Sequence, residues 1–180
     1  MLVRGKTSDL LVRYNGGMPG DCVHSWICAF QHFGRVGGIV DKEEKQFRFV
    51  VDSVPVSKSR PRFASGVVYT PQKTANFERL VKIRCRSCMK TKGIETFDKP
   101  VAVKLLFVMP VPKSYSNSKR QAMIGKLHTH KPDLDNLIKA VLDGMNGIAY
   151  RDDSLVCSID AVKVYGATPK AVVTVEAFSK

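Results

Sequence analysis

The sequence lacks a long apolar run, an internal repeat and a paired set of cysteines. No stretch reaches the ~18 apolar residues that span a bilayer, and no apolar core follows the N-terminus as in a secretory signal. The five cysteines are an odd, scattered set in a chain long enough to build a core without disulfides. We therefore predict a cytoplasmic protein with reduced thiols and no membrane partner.

Acidic residues are scarce relative to basic ones. The 180 residues include 29 Lys and Arg against 16 Asp and Glu, which gives a formal net charge of +13. An excess of this size favours a polyanionic partner, with nucleic acid ahead of an anionic membrane surface. A basic protein that is merely soluble remains the alternative.

The first part of the chain differs from the rest. Residues 1–45 contain glycine-rich turns and no sustained period of 2 or 3.6, so we predict a poorly structured leader before one domain over 46–180. The bases that encode Gly37 and Gly38 could form a purine-rich ribosome-binding site before a GTG start at Val40. We hypothesise that the leader is translated upstream sequence, and we assign it no function.

The periodicity of the remainder predicts strands at 47–51, 100–109, 154–165 and 171–178, and helices at 71–90, 119–124 and 134–145. Thr70 is expected to cap the first helix, with Pro71 at its first position, and Gly144 and Gly147 mark the end of the third. The proline-rich segment 55–71 is expected to be a loop. This order predicts an α+β domain with a small mixed β-sheet and two main helices packed largely on one face.

Carboxylates surround the last predicted helix. Asp133 precedes it, Asp135 lies in its first turn, and Asp152–Asp153 follow it before a strand. Pro132 keeps the approach extended, so the carboxylates of Asp133 and Asp135 can turn toward one point. Lys139 lies four residues after Asp135, on the same helix face.

Carboxylates that meet repel one another unless a cation neutralises them, and a hard divalent ion such as Mg²⁺ does this with oxygen ligands. In phosphodiester hydrolysis such an ion activates water, and a nearby lysine stabilises the developing charge. The alternative is structural. Asp133 would be a helix cap, Asp135 with Lys139 an ordinary ion pair, and Asp152–Asp153 a turn. The spacing leaves both interpretations open.

The motif over 133–143, Asp-Leu-Asp-Asn-Leu-x-Lys-Ala-x-x-Asp, is followed nine residues later by Asp152–Asp153. This pattern resembles the RusA family of crossover-junction endodeoxyribonucleases, in its phage and prophage branch. The segments 58–63 (Lys-Ser-Arg-Pro-Arg-Phe) and 69–71 (Tyr-Thr-Pro) resemble the usual opening of that branch. The resemblance covers residues 47 to 178, and the joint pattern is more specific than a lone Asp-x-Asp.

The resemblance implies a RusA-like fold and a homodimer that acts in DNA recombination and repair. Such a dimer places two sites on opposite strands of a four-way (Holliday) junction and nicks them symmetrically with Mg²⁺ or Mn²⁺, without a small-molecule cofactor. The roles it implies are metal binding and catalysis for Asp133, Asp135 and Asp153, metal binding for Asp152, and catalysis for Lys139. Asn136 and Asp143 are expected to support the geometry.

Basic side chains in the proline-rich loop and ahead of the acidic motif are the predicted DNA contacts, because junction binding needs many phosphate contacts. They are Lys58, Arg60, Arg62, Lys113, Lys119, Arg120, Lys126 and Lys131. Each could instead be a solvated loop charge. Phe63 and Tyr69 could stack on bases, although packing is the commoner role of aromatic residues beside a strand.

Two other functions are considered. A non-catalytic protein that binds branched DNA, such as a prophage relic, would be expected to have lost at least one of Asp133, Asp135, Lys139 and Asp153; all four are present. A zinc-stabilised interaction module would use Cys85-x-x-Cys88 with His128 and His130, but the usual zinc knuckle places its cysteines on a turn. We expect Cys85 and Cys88 to bury the apolar side of the first helix.

Overall fold

The computed structural model describes residues 45–60, 62–64 and 67–178. All of these residues belong to the same compact unit of the chain. The predicted leader, 1–45, lies outside the described residues except for Lys45. The elements, in order, are β1 (Gln46–Val51), β2 (Arg62–Ala64), β3 (Val67–Tyr69), α1 (Gln72–Lys92), β4 (Val101–Pro110), α2 (Asn117–Met123), α3 (Leu134–Met145), a 3₁₀ turn (Asp153–Leu155), β5 (Val156–Gly166) and β6 (Lys170–Ala177).

A four-stranded mixed sheet, in the order β1-β6-β4-β5, forms the centre of the domain. β6 pairs antiparallel with both β1 and β4, so that Phe47 lies opposite Val175. β4 and β5 run parallel, because α2 and α3 lie in the connection between them and return the chain to the same end of the sheet. The mixed sheet predicted from the sequence is confirmed.

α1 and α3 cover one face of this sheet. Their apolar stripes are buried together with alternate residues of β1, β4 and β6 in one core cluster. The buried apolar side chains of the helices are Phe77, Val81, Cys85 and Met89 on α1, and Leu137, Ala140, Val141 and Met145 on α3. The structure is therefore α+β with its two main helices on one face, as predicted.

α1 and α3 approach each other closely at Gly144. A Cβ atom at this position would lie 2.9 Å from the Cβ of Val81 and 3.0 Å from the carbonyl oxygen of Glu78. Gly144 lies in the last turn of α3, one residue before the helix ends at Met145, so it marks the end of the helix as predicted and also permits the contact with α1. Gly147, with φ of 70°, follows the helix in the left-handed conformation that favours glycine.

Three local features differ from the sequence prediction. The segment predicted as a loop contains the antiparallel pair β2–β3, with Arg62 opposite Tyr69. Thr70 is not the cap of α1, because Pro71 occupies that position and no side-chain hydrogen bond caps the helix. The short helix α2 begins earlier than predicted, after Ser116, whose hydroxyl accepts a hydrogen bond from the Lys119 amide at 3.4 Å.

The cysteines of α1 pack as the sequence predicts. Cys85 is fully buried, its thiol donates to the sulfur of Met89 at 3.8 Å, and burial raises the pKa of this thiol to about 12. The Cys88 thiol donates to the carbonyl oxygen of Arg48 on β1 at 3.3 Å. Across the described residues, no helix is both long and apolar enough to cross a membrane.

Candidate active site

The chain that leads into α3 is held by β5. The His128 amide donates to the carbonyl oxygen of Lys163 at 2.8 Å, so this segment extends the sheet edge. The ammonium of Lys163 donates to the carbonyl oxygens of His130, at 2.7 Å, and Pro132, at 2.6 Å. Lys163 therefore fixes the backbone directly before Asp133. This role cannot be read from the sequence, because no local signal links residues that lie more than 30 positions apart.

The two acids at the start of α3 are exposed. Neither has the structural role considered above, a helix cap for Asp133 and an ion pair with Lys139 for Asp135. Asp133 has the extended backbone predicted for it, with φ of −71° and ψ of 145°, but its carboxylate makes no capping hydrogen bond. The carboxylate of Asp135 accepts a hydrogen bond from the side-chain amide of Asn136 at 3.2 Å and forms no ion pair with Lys139 within the described chain. Lys139 is also exposed.

The two acids after α3 differ from each other. The carboxylate of Asp152 accepts a hydrogen bond from the Ser154 amide at 3.0 Å and so caps the 3₁₀ turn. Hydrogen bonds from the side chain and backbone of Ser154 hold the pKa of Asp152 below its usual value. Asp153 is exposed, and its carboxylate accepts no hydrogen bond among the described residues; its backbone carbonyl oxygen accepts one from the Val156 amide. Asp153 is therefore the one of the pair whose carboxylate is available to a ligand.

Tyr150 connects Asp153 with the last turn of α3. Its buried hydroxyl donates to the carbonyl oxygen of Leu142 at 3.1 Å. Burial raises the pKa of Tyr150, and the negative charges of Asp153 and Asp143 raise it further. Asp153 therefore lies near the C-terminal end of α3.

The predicted acids do not form one cluster in the described chain. Within residues 45–60, 62–64 and 67–178, no three His, Cys, Asp or Glu side chains are arranged to hold a metal ion. α3 has 12 residues and is about 18 Å long at ~1.5 Å per residue. Asp133 precedes its first turn, whereas Asp153 follows its last. The donor chemistry, exposed carboxylates without a pairing cation, fits Mg²⁺, but the geometry is not that of a formed site.

Lys58 lies between α1 and α3. Its ammonium is 2.7 Å from the carboxylate of Glu78 on α1 and 2.6 Å from that of Asp143 on α3. Burial by itself would lower the pKa of Lys58, but the hydrogen bonds to Asp143 and Glu78 outweigh it and raise this pKa. The Lys58 amide also donates to the carbonyl oxygen of Asn136 at 2.8 Å. Asp143, expected to support the geometry, thus anchors the proline-rich loop.

A second contact fixes the same loop to α1. The hydroxyl of Thr74 lies 3.1 Å from the carbonyl oxygen of Ser57, to which it donates, and 3.3 Å from the hydroxyl of Ser59. Thr74 is fully buried, so these bonds are shielded from water. The loop therefore presents Arg60, which is exposed, from a fixed base beside α3.

The other predicted DNA contacts lie on the segments around α2 and before α3. Lys119 is exposed, and its ammonium lies 3.9 Å from the centre of the Tyr115 ring. The side chains of Arg62, Phe63 and Tyr69 lie outside the described part of the structure. The other predicted DNA contacts are also exposed: Lys113, Arg120, Lys126 and Lys131. Their contacts with DNA stay a prediction.

His128 and His130 lie beside β5, and among the described residues they do not form a metal-binding group with Cys85 and Cys88 of α1. The His128 ring packs on that of Tyr165, with centroids 4.4 Å apart. Burial, with the charge of Lys163, lowers the pKa of His128. Its Nδ1 and the Tyr165 hydroxyl are buried and have no hydrogen-bond partner in the described chain. Burial and the charge of Lys163 therefore favour the neutral form of His128.

Comparison with known proteins identifies the family of the chain. The family described as endodeoxyribonuclease RusA matches residues 52–176, which span β2 through most of β6 and include all the acids flanking α3. The chain is also 35% identical over 140 residues to the uncharacterized protein YqaN of Bacillus subtilis (strain 168), in an alignment that covers 73% of this chain and 96% of that protein. The chain therefore belongs to the RusA family of endodeoxyribonucleases.

Proposed function

We propose that the protein is a Mg²⁺-dependent endonuclease that resolves Holliday junctions and related branched DNA by symmetric cleavage as a homodimer. Membership of the RusA family supports nuclease activity on DNA junctions, and the net charge of +13 suits a polyanionic substrate. The observation that carries the proposal is that Asp133, Asp135 and Asp153 are exposed carboxylates without a pairing cation in the described chain.

Each residue has a role in this proposal. Asp133, Asp135 and Asp153 supply the oxygen ligands of Mg²⁺, with Mn²⁺ as a substitute, and the bound ion would activate water and offset charge on the phosphate. Lys139, one turn after Asp135, donates to a phosphoryl oxygen as negative charge develops there. Asp152 contributes less to the metal site, because its carboxylate already accepts a hydrogen bond from Ser154.

The proposal requires that the acids approach one another when the protein binds DNA. The acids flank α3 and do not form a cluster in the described chain, so they must come together in the DNA-bound homodimer. Lys163 orients the N-terminal part of this set, because it holds the carbonyl oxygen of Pro132 next to Asp133.

A labelled synthetic four-way junction tests the activity. Paired, symmetric nicks that form with Mg²⁺ and disappear with EDTA are expected, and the Asp135→Asn variant should bind the junction without cutting it. Asp98→Asn, which changes an exposed acid outside α3, is the matched control and should cut like the wild type. Normal cutting by Asp135→Asn would show that the site is misassigned. Binding without nicks by the wild type, in both Mg²⁺ and Mn²⁺, would favour a non-catalytic DNA-binding protein.

A further inference from the structure

α1 carries seven basic residues and one acid, Glu78. Four of the seven are spaced i, i+3, i+7 and i+11, and at ~3.6 residues per turn they lie within about 80° of one another around the helix. We call this set the α1 basic stripe, and its members are Arg79, Lys82, Arg86 and Lys90. All four are exposed, and none forms an ion pair within the described residues.

No acidic side chain on α1 neutralises the stripe. The carboxylate of Glu78, the only acid of the helix, lies 2.7 Å from the ammonium of Lys58. Arg84 has its own partner, Asp52, at 3.6 Å, on a different face of the helix. The positive charge of the stripe therefore faces solvent without a countercharge from its own helix.

The stripe has no evident role in folding. Like charges three and four residues apart on a helix repel each other and destabilise it. The helix dipole favours cations only in the last turn, where Lys90 lies, and gives no such benefit to Arg79, Lys82 or Arg86. An exposed row of like charges that weakens its own helix points to a ligand of opposite charge.

The C-terminal part of the stripe lies close to the residues that follow α3. Arg86 and Lys90 line a surface groove together with Gly147 and Ile148, which directly follow α3. Glu95 also lines this groove. The stripe thus runs along α1 toward the end of α3 near which Asp153 lies.

We propose that the α1 basic stripe binds the phosphate backbone of one arm of the branched DNA. This inference rests on the proposed function. From Arg79 to Lys90 the stripe extends for about 16 Å, a length over which one strand of B-DNA presents about five phosphates. Arg and Lys contacts with phosphates position a duplex without reading its sequence. The stripe therefore sets where the arm lies relative to the acids and does not select the cleavage sequence.

The salt dependence of binding tests the stripe directly. The variant Arg79→Gln/Lys82→Gln/Arg86→Gln/Lys90→Gln is compared with the wild type by fluorescence anisotropy of a labelled four-way junction in EDTA. Each lost phosphate contact should flatten the plot of log Kobs against log salt concentration by about 0.9, so the loss of all four gives about 3 to 4. The control is Arg84→Gln, which removes the same charge from the same helix outside the stripe and should keep the wild-type slope.

The outcomes separate this inference from the proposed function. A wild-type protein that binds no branched DNA would overturn the proposed function. Wild-type binding with an unchanged slope in the quadruple variant, or equal flattening by Arg84→Gln and Arg86→Gln, would overturn the stripe alone.

Two further measurements exclude indirect effects. The quadruple variant should melt at or above the wild-type temperature, because repulsion within α1 is removed. If it does not fold, the single variants Lys82→Gln and Arg86→Gln take its place, each expected to flatten the slope by about 0.9. In cleavage assays the stripe variants should raise KM and keep kcat at saturating DNA, and a lower kcat with unchanged KM would contradict the inference.

Discussion

The ammonium of Lys58 lies 2.6 Å from the carboxylate of Asp143 and so joins the proline-rich loop to α3. The same ammonium is 2.7 Å from the carboxylate of Glu78, so the ion pairs of Lys58 also connect the loop to α1. The three side chains are only 21–28% exposed. Ion pairs shielded to this degree contribute more than exposed pairs, and the loss of one partner leaves the others uncompensated.

Lys58→Met should therefore lower the free energy of unfolding by about 2 kcal/mol, because two part-buried carboxylates then face each other without a cation. Urea denaturation measures this change, and Lys58→Arg should retain most of the stability. Arg84→Gln serves as control, since it breaks the exposed pair with Asp52 and should change stability by less than about 0.5 kcal/mol. A Lys58→Met protein as stable as the wild type would show that the ion pairs of Lys58 contribute nothing to the free energy of unfolding.

Asp152 and Asp153 are adjacent but should respond differently to substitution. Asp153→Asn is expected to reduce junction cleavage by about three orders of magnitude while the protein stays folded, because it removes a metal ligand worth several kcal/mol in the transition state. Asp152→Ala should keep most of the cleavage and instead speed hydrogen exchange at the Ser154 amide, to which the carboxylate is bonded. If substitution of Asp152 reduced cleavage more than substitution of Asp153, Asp152 and not Asp153 would be the metal ligand.

His128 should make stability depend on pH. Its pKa is lowered in the folded protein, chiefly by burial, so the unfolded chain takes up a proton first as the pH falls. Stability is therefore full above the unfolded pKa of about 6.5 and decreases as the pH falls through it toward the lower folded value. Urea midpoints at about pH 7.5 and pH 5.5 should differ less in His128→Gln than in the wild type. His130→Gln is the control, and an equal effect of both variants would exclude a specific role for His128.

Gly144→Ala should destabilise the domain by about 1 to 3 kcal/mol, although alanine is the better helix former by about 1 kcal/mol. The reason is that its Cβ would lie 2.9 Å from the side chain of Val81. In thermal or urea unfolding, Gly144→Ala/Val81→Ala should be less destabilised than the sum of its single variants, since truncation of Val81 makes room. Additive effects would mean that the helix contact is not the cause.

The sequence predicted α3 well because the helix carries strong local signals. Leu137, Val141 and Met145 form an apolar stripe at helical spacing, and all three are fully buried. Thr70 is not the cap because α1 begins at Gln72, so that Pro71, and not Thr70, directly precedes the first helical residue. The hairpin β2–β3 was missed because strands of three residues, Arg62–Ala64 and Val67–Tyr69, carry too little periodicity.

The candidate site was harder to predict than the fold. Its residue types follow from the motif, but whether the acids converge depends on where the chain goes after α3. Lys58 was predicted as a phosphate contact, and its ion pairs with Glu78 and Asp143 could not be foreseen because both partners come from distant parts of the sequence. The spacing of the α1 basic stripe is visible in the sequence, but its exposure and its lack of ion pairs among the described residues follow only from the fold.

The pairing of the first strand with the last has a consequence for how the protein is made. β1 gains its partner only when β6 has left the ribosome, because β6 lies between β1 and β4 in the sheet. Contacts between such distant segments close slowly, since the intervening chain must be ordered first. A product that stops before Lys170 would contain every acid of the motif and still lack the strand that joins both halves of the sheet beneath α1 and α3.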